Sequence, residues 1–319
     1  MQRWALVVEY DGAKFRGWQC QPFAPSVQGA LETALSRVGN ATIETVCAGR
    51  TDAGVHATAQ VVHFDAPQPR PARAWVWGTN ANLPPEIRAV AACPVSFDFH
   101  ARFSARARRY RYVLRNTQEV SALAVSRCAH WRRPLCIDAM REALASLLGT
   151  HDFSSFRAAG CQAKSPVRTL LAASVTREKD LVWFDFVANA FLHHMVRNLV
   201  GSLLEVGSGD RSVAWLGEVL AQRDRRAAGV TAPPDGLYFV GVDYPAIRDS
   251  SLCLRDDGTG ENLKTISGAS TQDGCAMNAY AMAENGWVML GDEGFAAPRS
   301  LSVLRLPWWM TAESQNFEP

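Results

Sequence analysis

The chain has 319 residues, 48% of them apolar and 20% charged, which is enough for about two domains with a substantial core. No run of about 18 apolar residues occurs, so no membrane span is expected, and the early apolar run Trp4–Val8, cut off by Glu9 and Asp11, argues against a secretory signal. The net charge of +2 conceals a split: residues 1–249 carry 29 Lys and Arg against 22 Asp and Glu, while residues 250–319 carry 4 against 9. An arginine-rich body suits phosphate gripping and base stacking, although GC-biased codon usage produces the same composition.

In chain order the periodicity predicts an apolar strand at 4–10 and a helix at 26–38 with Ser26 as its cap. Strands follow near 43–48 and 59–65, then a helical piece near 71–78 and a strand near 87–95. The pattern then repeats: a strand at 107–115, a helix at 137–148, strands near 168–176 and 181–187, a helix at 191–206 and a last strand at 237–242. Each half reads β-α-β-β-α-β, the split βαβ order of ferredoxin-like domains. The expected fold is therefore α+β: two ferredoxin-like halves, 1–105 and 106–248, joined into one extended antiparallel sheet with helices on one face and a basic cleft between the halves. Residues 249–319 form an acidic extension without sustained periodicity, expected to pack poorly against the body. The eight cysteines include no Cys-x-x-Cys pair, which fits reduced thiols in a cytoplasmic protein better than a disulfide framework.

Four segments carry candidate chemistry. Gly49-Arg50-Thr51-Asp52-Ala53-Gly54-Val55-His56 puts one carboxylate on a tight strand-to-strand connection between two glycines, where Arg50 would favour the ionised form. A shaped loop holding an ionised carboxylate suits a nucleophile, but the spacing alone favours a turn aspartate capping backbone amides, with Arg50 as an ordinary ion-pair partner. Arg102 to Tyr112 holds five arginines in ten residues with Tyr110 and Tyr112 among them: a stacking platform beside phosphate clamps, or a solvated edge strand. In Phe191 to Leu199, His193 and Arg197 stand along the margin of an apolar helix stripe, and Arg197 needs an anion, either Asp52 or an RNA phosphate. The loop Tyr10 to Gln19 offers Lys14, Phe15, Arg16 and Trp18 for RNA gripping or for packing.

Metal binding is not expected: adjacent His193 and His194 would point to different sides of a helix, and His56 and His63 lack partners at ligand spacing. Neither a phosphate loop nor a Gly-x-Ser-x-Gly elbow is present.

Together these segments closely resemble the TruA family of tRNA pseudouridine synthases. The carriers are YDGAKFRGWQ (10–19), GRTDAGVHATAQVVHF (49–64), NANLP (80–84), FHARFSARARRYRY (99–112), ANAFLHHMVRN (188–198) and APPDGLYFVGVDYP (232–245), in the family's order and spanning residues 1–248. The resemblance implies a cofactor-free isomerase that converts uridine to pseudouridine at positions 38 to 40 of the tRNA anticodon stem-loop, and a homodimer with tRNA across both subunits. It also implies the roles: Asp52 as the catalytic nucleophile, Tyr110 as the base-stacking tyrosine, Arg50 as the arginine at the flipped base, Arg197 as the partner of the aspartate, and Leu237 in the pocket wall. The competing function is a non-catalytic tRNA-binding or RNA-folding protein using the same basic cleft.

Overall fold

The computed structural model describes residues 1–247, with the backbone of three further short pieces, Cys275–Ala276, Ala281–Ala283 and Gly286–Val288. The expectation of a poorly packed extension over 249–319 thus lies outside the described residues.

Ten strands build one sheet: β1 (Gln2–Tyr10), β2 (Val46–Cys47), β3 (His56–Ala66), β4 (Ile87–Val95), β5 (Ala107–Asn116), β6 (Ala129–Trp131), β7 (Gly149–Asp152), β8 (Val167–Glu178), β9 (Leu181–Ala188) and β10 (Leu237–Asp243). Their order is β4-β1-β3-β10-β5-β9-β8-β7, with β2 also on β3 and β6 on β5. Pairing is antiparallel except at β3–β10 and β5–β6. The short parallel contact, Tyr238 opposite His56 and Phe239 opposite Ala57, joins the first part of the chain to the second. The result is a mixed α+β fold with one large, mostly antiparallel sheet and a few helices.

The helices are α1 (Val27–Gly39), α2 (Ile137–Leu144), α3 (Met195–Gly207) and α4 (Trp215–Gln222). The Ser26 hydroxyl accepts the Gly29 N–H at 3.2 Å and starts α1; Asn40, left-handed at φ 49°, ends it. Val27, Leu31, Ala34 and Leu35 form its buried stripe.

Several predicted elements change form. The piece near 71–78 is a five-residue π-helical turn, Ala74–Gly78, and the strand near 43–48 shrinks to two paired residues. The second-half helix stops at Leu144 and continues as a 3₁₀ turn, Ala145–Leu147. The helix expected from 191 begins only at Met195, because His194 takes a left-handed conformation at φ 60° that no helix continues through. α4, with Leu216, Val219 and Leu220 buried at helical spacing, and the short strands β6 and β7 were not anticipated.

Gly201 in α3 lets a second segment lie against the helix. A Cβ there would meet the Val230 carbonyl oxygen at 1.7 Å. The segment is fastened by Gly229 N–H to Ser202 Oγ (3.0 Å), Thr231 Oγ1 to the buried Asn198 Oδ1 (2.7 Å) and Ala232 N–H to Arg197 O (3.1 Å). It then turns into Pro234–Gly236 and β10, and so fixes the side of α3 that carries Arg197.

His63 on β3 gives the fold a pH dependence. Its ring is buried and its Nδ1 accepts the Ala101 N–H at 3.1 Å, which requires that nitrogen unprotonated. Burial first, then Arg3 and His100, push its pKa down to about 4, with Asp65 pulling the other way. The unfolded chain therefore binds more protons between its ordinary value of 6.5 and about 4. The contribution of His63 is complete above that window and is lost as pH falls through it. Urea melts at pH 7 and pH 5 are expected to show lower stability at pH 5, with a smaller difference in His63→Gln.

Candidate active site

Asp52 sits on the loop between β2 and β3, and buried groups fix that loop from several sides. Fully buried Gln60 accepts the Gly49 N–H through Oε1 (3.4 Å) and donates through Nε2 to Gly49 O (2.6 Å). The Tyr10 hydroxyl lies 2.8 Å from Thr51 Oγ1. Trp18 N–H donates to Thr51 O at 3.0 Å, and Gly54 N–H to Phe15 O at 3.4 Å. Of the residues offered by the 10–19 loop, Phe15 and Trp18 are therefore buried scaffold beneath Asp52, whereas Lys14 and Arg16 are exposed. The two glycines serve differently. Gly54 takes φ +79°, which L residues rarely adopt, while Gly49 is needed for space, since a Cβ would approach Phe239 to 3.0 Å.

The carboxylate meets the second half of the chain. His193 Nε2 lies 3.4 Å from Asp52 Oδ1, His194 Nε2 3.4 Å from Oδ2, and Arg197 Nη1 3.8 Å from Oδ2. Arg197 is largely buried, and its Nε donates to Ala232 O at 2.7 Å, so its position is set by the segment that Gly201 admits. Arg50 is exposed and forms no ion pair with Asp52. The cation beside the carboxylate comes from α3 and not from its own loop.

Tyr110 on β5 borders this site. Its ring is 9% exposed and stands edge-on to Phe191 (4.9 Å) and Phe239 (5.1 Å). Burial pushes its phenol upward, with Tyr10 and Asp52 adding to the effect, so the hydroxyl stays protonated at neutral pH. Leu237 is buried two residues from Phe239, on the same face of β10.

The arginine-rich strand corrects an expectation. Arg111, placed opposite Asp185 across β5–β9, donates to it at 2.6 and 2.9 Å, is 4% exposed and lies over Trp183. Arg109 pairs with Asp243 at 3.0 Å, and Arg108 donates to the carbonyls of Ala48, Ala105 and Asn189. The Tyr112 hydroxyl is spent on Pro233 O at 2.9 Å. These arginines are thus tied to protein partners, Arg109 and Arg111 to acids across or beside them in the sheet and Arg108 to backbone carbonyls; Tyr110 alone of the two tyrosines reaches the site. Asp185→Ala would leave a buried guanidinium unpaired and is expected to cost about 3–5 kcal/mol, measurable as a lower midpoint in urea.

The histidine pair also departs from expectation. Since α3 starts after His194, the helical geometry that would part the two rings does not apply; their centroids are 4.0 Å apart and both face Asp52. The donor atoms of Asp52, His193 and His194 lie within 4.8 Å of one another, a set able to seat a divalent cation, although the neighbouring Arg197 charge opposes one. The adjacent histidines and Gln60 were visible in the sequence, but their convergence depended on where the helix begins. Among the described residues no helix is long and apolar enough to cross a membrane.

A family model described as tRNA pseudouridine synthase matches residues 6–104 and 143–245. The chain is similar to the tRNA pseudouridine synthase A of Nitrosococcus oceani, with 54% identity over 243 residues covering 76% of this chain and 94% of that one. It is also similar to those of Pseudomonas aeruginosa (53% over 246 residues, 77% and 86%) and Neisseria gonorrhoeae (53% over 245 residues, 76% and 92%). With matches of that extent, the chain belongs to the tRNA pseudouridine synthases, isomerases that convert uridine in tRNA to pseudouridine.

Proposed function

We propose that this synthase modifies uridines at positions 38 to 40 of the tRNA anticodon stem-loop, with Asp52 as nucleophile on a flipped-out base. The observation that carries this is one carboxylate, held on a rigid loop, with Arg197, His193 and His194 around it and Tyr110 at the border of the site. A base must leave its stack to reach such a group.

The chemistry follows. The N1–C1′ bond breaks and its electron pair leaves with uracil N1. The ring turns, C5 bonds to C1′, the C5 proton departs and N1 gains one, so no atom is lost. Asp52 can add to ribose C1′ or to ring C6, and either adduct frees the uracil to turn. Tyr110 stacks on the flipped base, a role suited to a phenol that stays protonated. Arg50, exposed beside the site, takes the place the base vacates in the tRNA, Arg197 pairs with Asp52, and Leu237 lines the pocket. No cofactor is required.

In this reading residues 1–105 and 106–248 are two ferredoxin-like halves. Supporting it, the antiparallel order β4-β1-β3-β2 in the first is repeated by β10-β5-β9-β8 in the second. The protein acts as a cytoplasmic homodimer with tRNA across both subunits, and 249–319 is an acidic appendage to the RNA-binding body. The test is to map pseudouridine in tRNA from cells with and without the gene. Loss confined to positions 38 to 40 is expected; loss elsewhere would overturn the site assignment.

A further inference from the structure

The two histidines beside Asp52 have no part in the chemistry above, yet several features of the chain are arranged to bring them there. His194 holds a left-handed conformation, φ 60° and ψ 6°, at the residue before α3. For a side chain branched at Cγ this is strained by roughly 1 kcal/mol or more, and such strain persists where the surroundings impose it. The turn it makes ends the extended segment after β9 and brings both rings to the same side. His193 is pinned through its backbone: its N–H donates to Cys161 Sγ at 3.4 Å, and its carbonyl accepts the Ala158 N–H at 3.0 Å. The loop that supplies these partners is itself closed by Arg157, which donates to the carbonyls of Cys161 (2.7 Å) and Ala163 (2.8 Å). The outcome is one ring nitrogen 3.4 Å from each carboxylate oxygen.

We propose that His193 and His194 are positioning residues for the isomerisation: a two-imidazole cradle that fixes the rotation of the Asp52 carboxylate, one ring per oxygen, so that it meets the flipped uridine in a single orientation. This rests on Asp52 being the nucleophile. Arg197 cannot perform the task alone. Its nearest approach to the carboxylate is Nη1 to Oδ2 at 3.8 Å, and its Nε is committed to Ala232 O, so it supplies charge without closely fixing the carboxylate plane. Two contacts, one to each oxygen, do define it. Burial pushes the His194 pKa down against the upward pull of Asp52, so near neutral pH an uncharged imidazole stands 3.4 Å from Oδ2. A neutral donor orients the carboxylate without quenching its reactivity as a second full cation would.

The backbone at 194 offers a clean test, because glycine suits its φ better than histidine does. His194→Gly is expected to melt no lower than wild type and to bind tRNA unchanged. Its kcat on tRNA labelled with tritium at uridine C5 should nevertheless fall about 100-fold at near-constant KM, the usual cost of a reacting group misplaced by about 1 Å. His194→Gln, whose amide nitrogen falls near the position of Nε2, should restore kcat to within about tenfold of wild type. Wild-type kcat in His194→Gly would overturn the proposal, as would a loss that His194→Gln does not repair. Asp52→Asn, assayed in parallel, separates the two claims: an active Asp52→Asn sinks both, whereas an inactive Asp52→Asn beside a fully active His194→Gly sinks only the cradle.

Discussion

Asp52→Asn is expected to abolish tritium release from tRNA labelled at uridine C5, by at least about 10⁴-fold in kcat, a loss of the size seen when a nucleophile is removed from a site that still binds its substrate. The amide keeps the shape and can still contact the imidazoles, but it has no anionic oxygen to add to carbon. Folding should hardly notice. The loop backbone is secured by Gln60, Tyr10, Trp18 and Phe15, and none of those bonds uses the Asp52 side chain. tRNA affinity should stay near wild type, or rise slightly as one negative charge leaves an RNA-facing surface. The combination of retained melting temperature, retained binding and no release identifies a chemical role. Full activity in Asp52→Asn would exclude the carboxylate as nucleophile, and retained binding with no pseudouridine even from wild type would return the argument to an RNA-binding protein.

The sequence was most legible where local pattern and burial agree. Strand β1 and helix α1 could be placed from their apolar spacing and from Ser26, and the structure bears them out within two residues. The segment QRWALVVEY is a central strand, paired on both edges and buried along most of its length, and an apolar run reports that burial. What could not be read was partner choice across the sheet. Arg109 and Arg111 looked available for phosphate, but their partners Asp243 and Asp185 stand 134 and 74 residues away in sequence, and only the register brings them to the arginines. The histidine pair was hidden for a different reason. A helical period continued back through Phe191 places the rings on different sides, and a single left-handed residue reverses that. Similarly, Arg50 lies two residues from Asp52 in sequence, yet the ion-pair partner of Asp52 is Arg197, whose aim depends on the segment admitted by Gly201.

That dependence makes Arg197 the second decisive position. Its guanidinium has two tasks that a single ammonium cannot share: Nε is bonded to Ala232 O at 2.7 Å, while Nη1 stands 3.8 Å from Asp52 Oδ2. At an effective dielectric near 20, opposite unit charges at that distance attract by about 4 kcal/mol before desolvation is counted. This attraction draws the half-buried carboxylate towards α3. Arg197→Met keeps the apolar stem packed on α3 but removes the charge, and is expected to lower kcat by about 10²- to 10³-fold, with melting reduced by the lost bond to Ala232. Arg197→Lys restores the charge but not both contacts, and should recover only part of that loss. Comparing the two variants distinguishes an electrostatic role from a purely structural one. If the charge matters, Arg197→Lys should turn over faster than Arg197→Met even where the two melt alike. Equal kcat in the two variants would mean that Arg197 serves only to anchor the 229–232 segment, and the charge argument would fail.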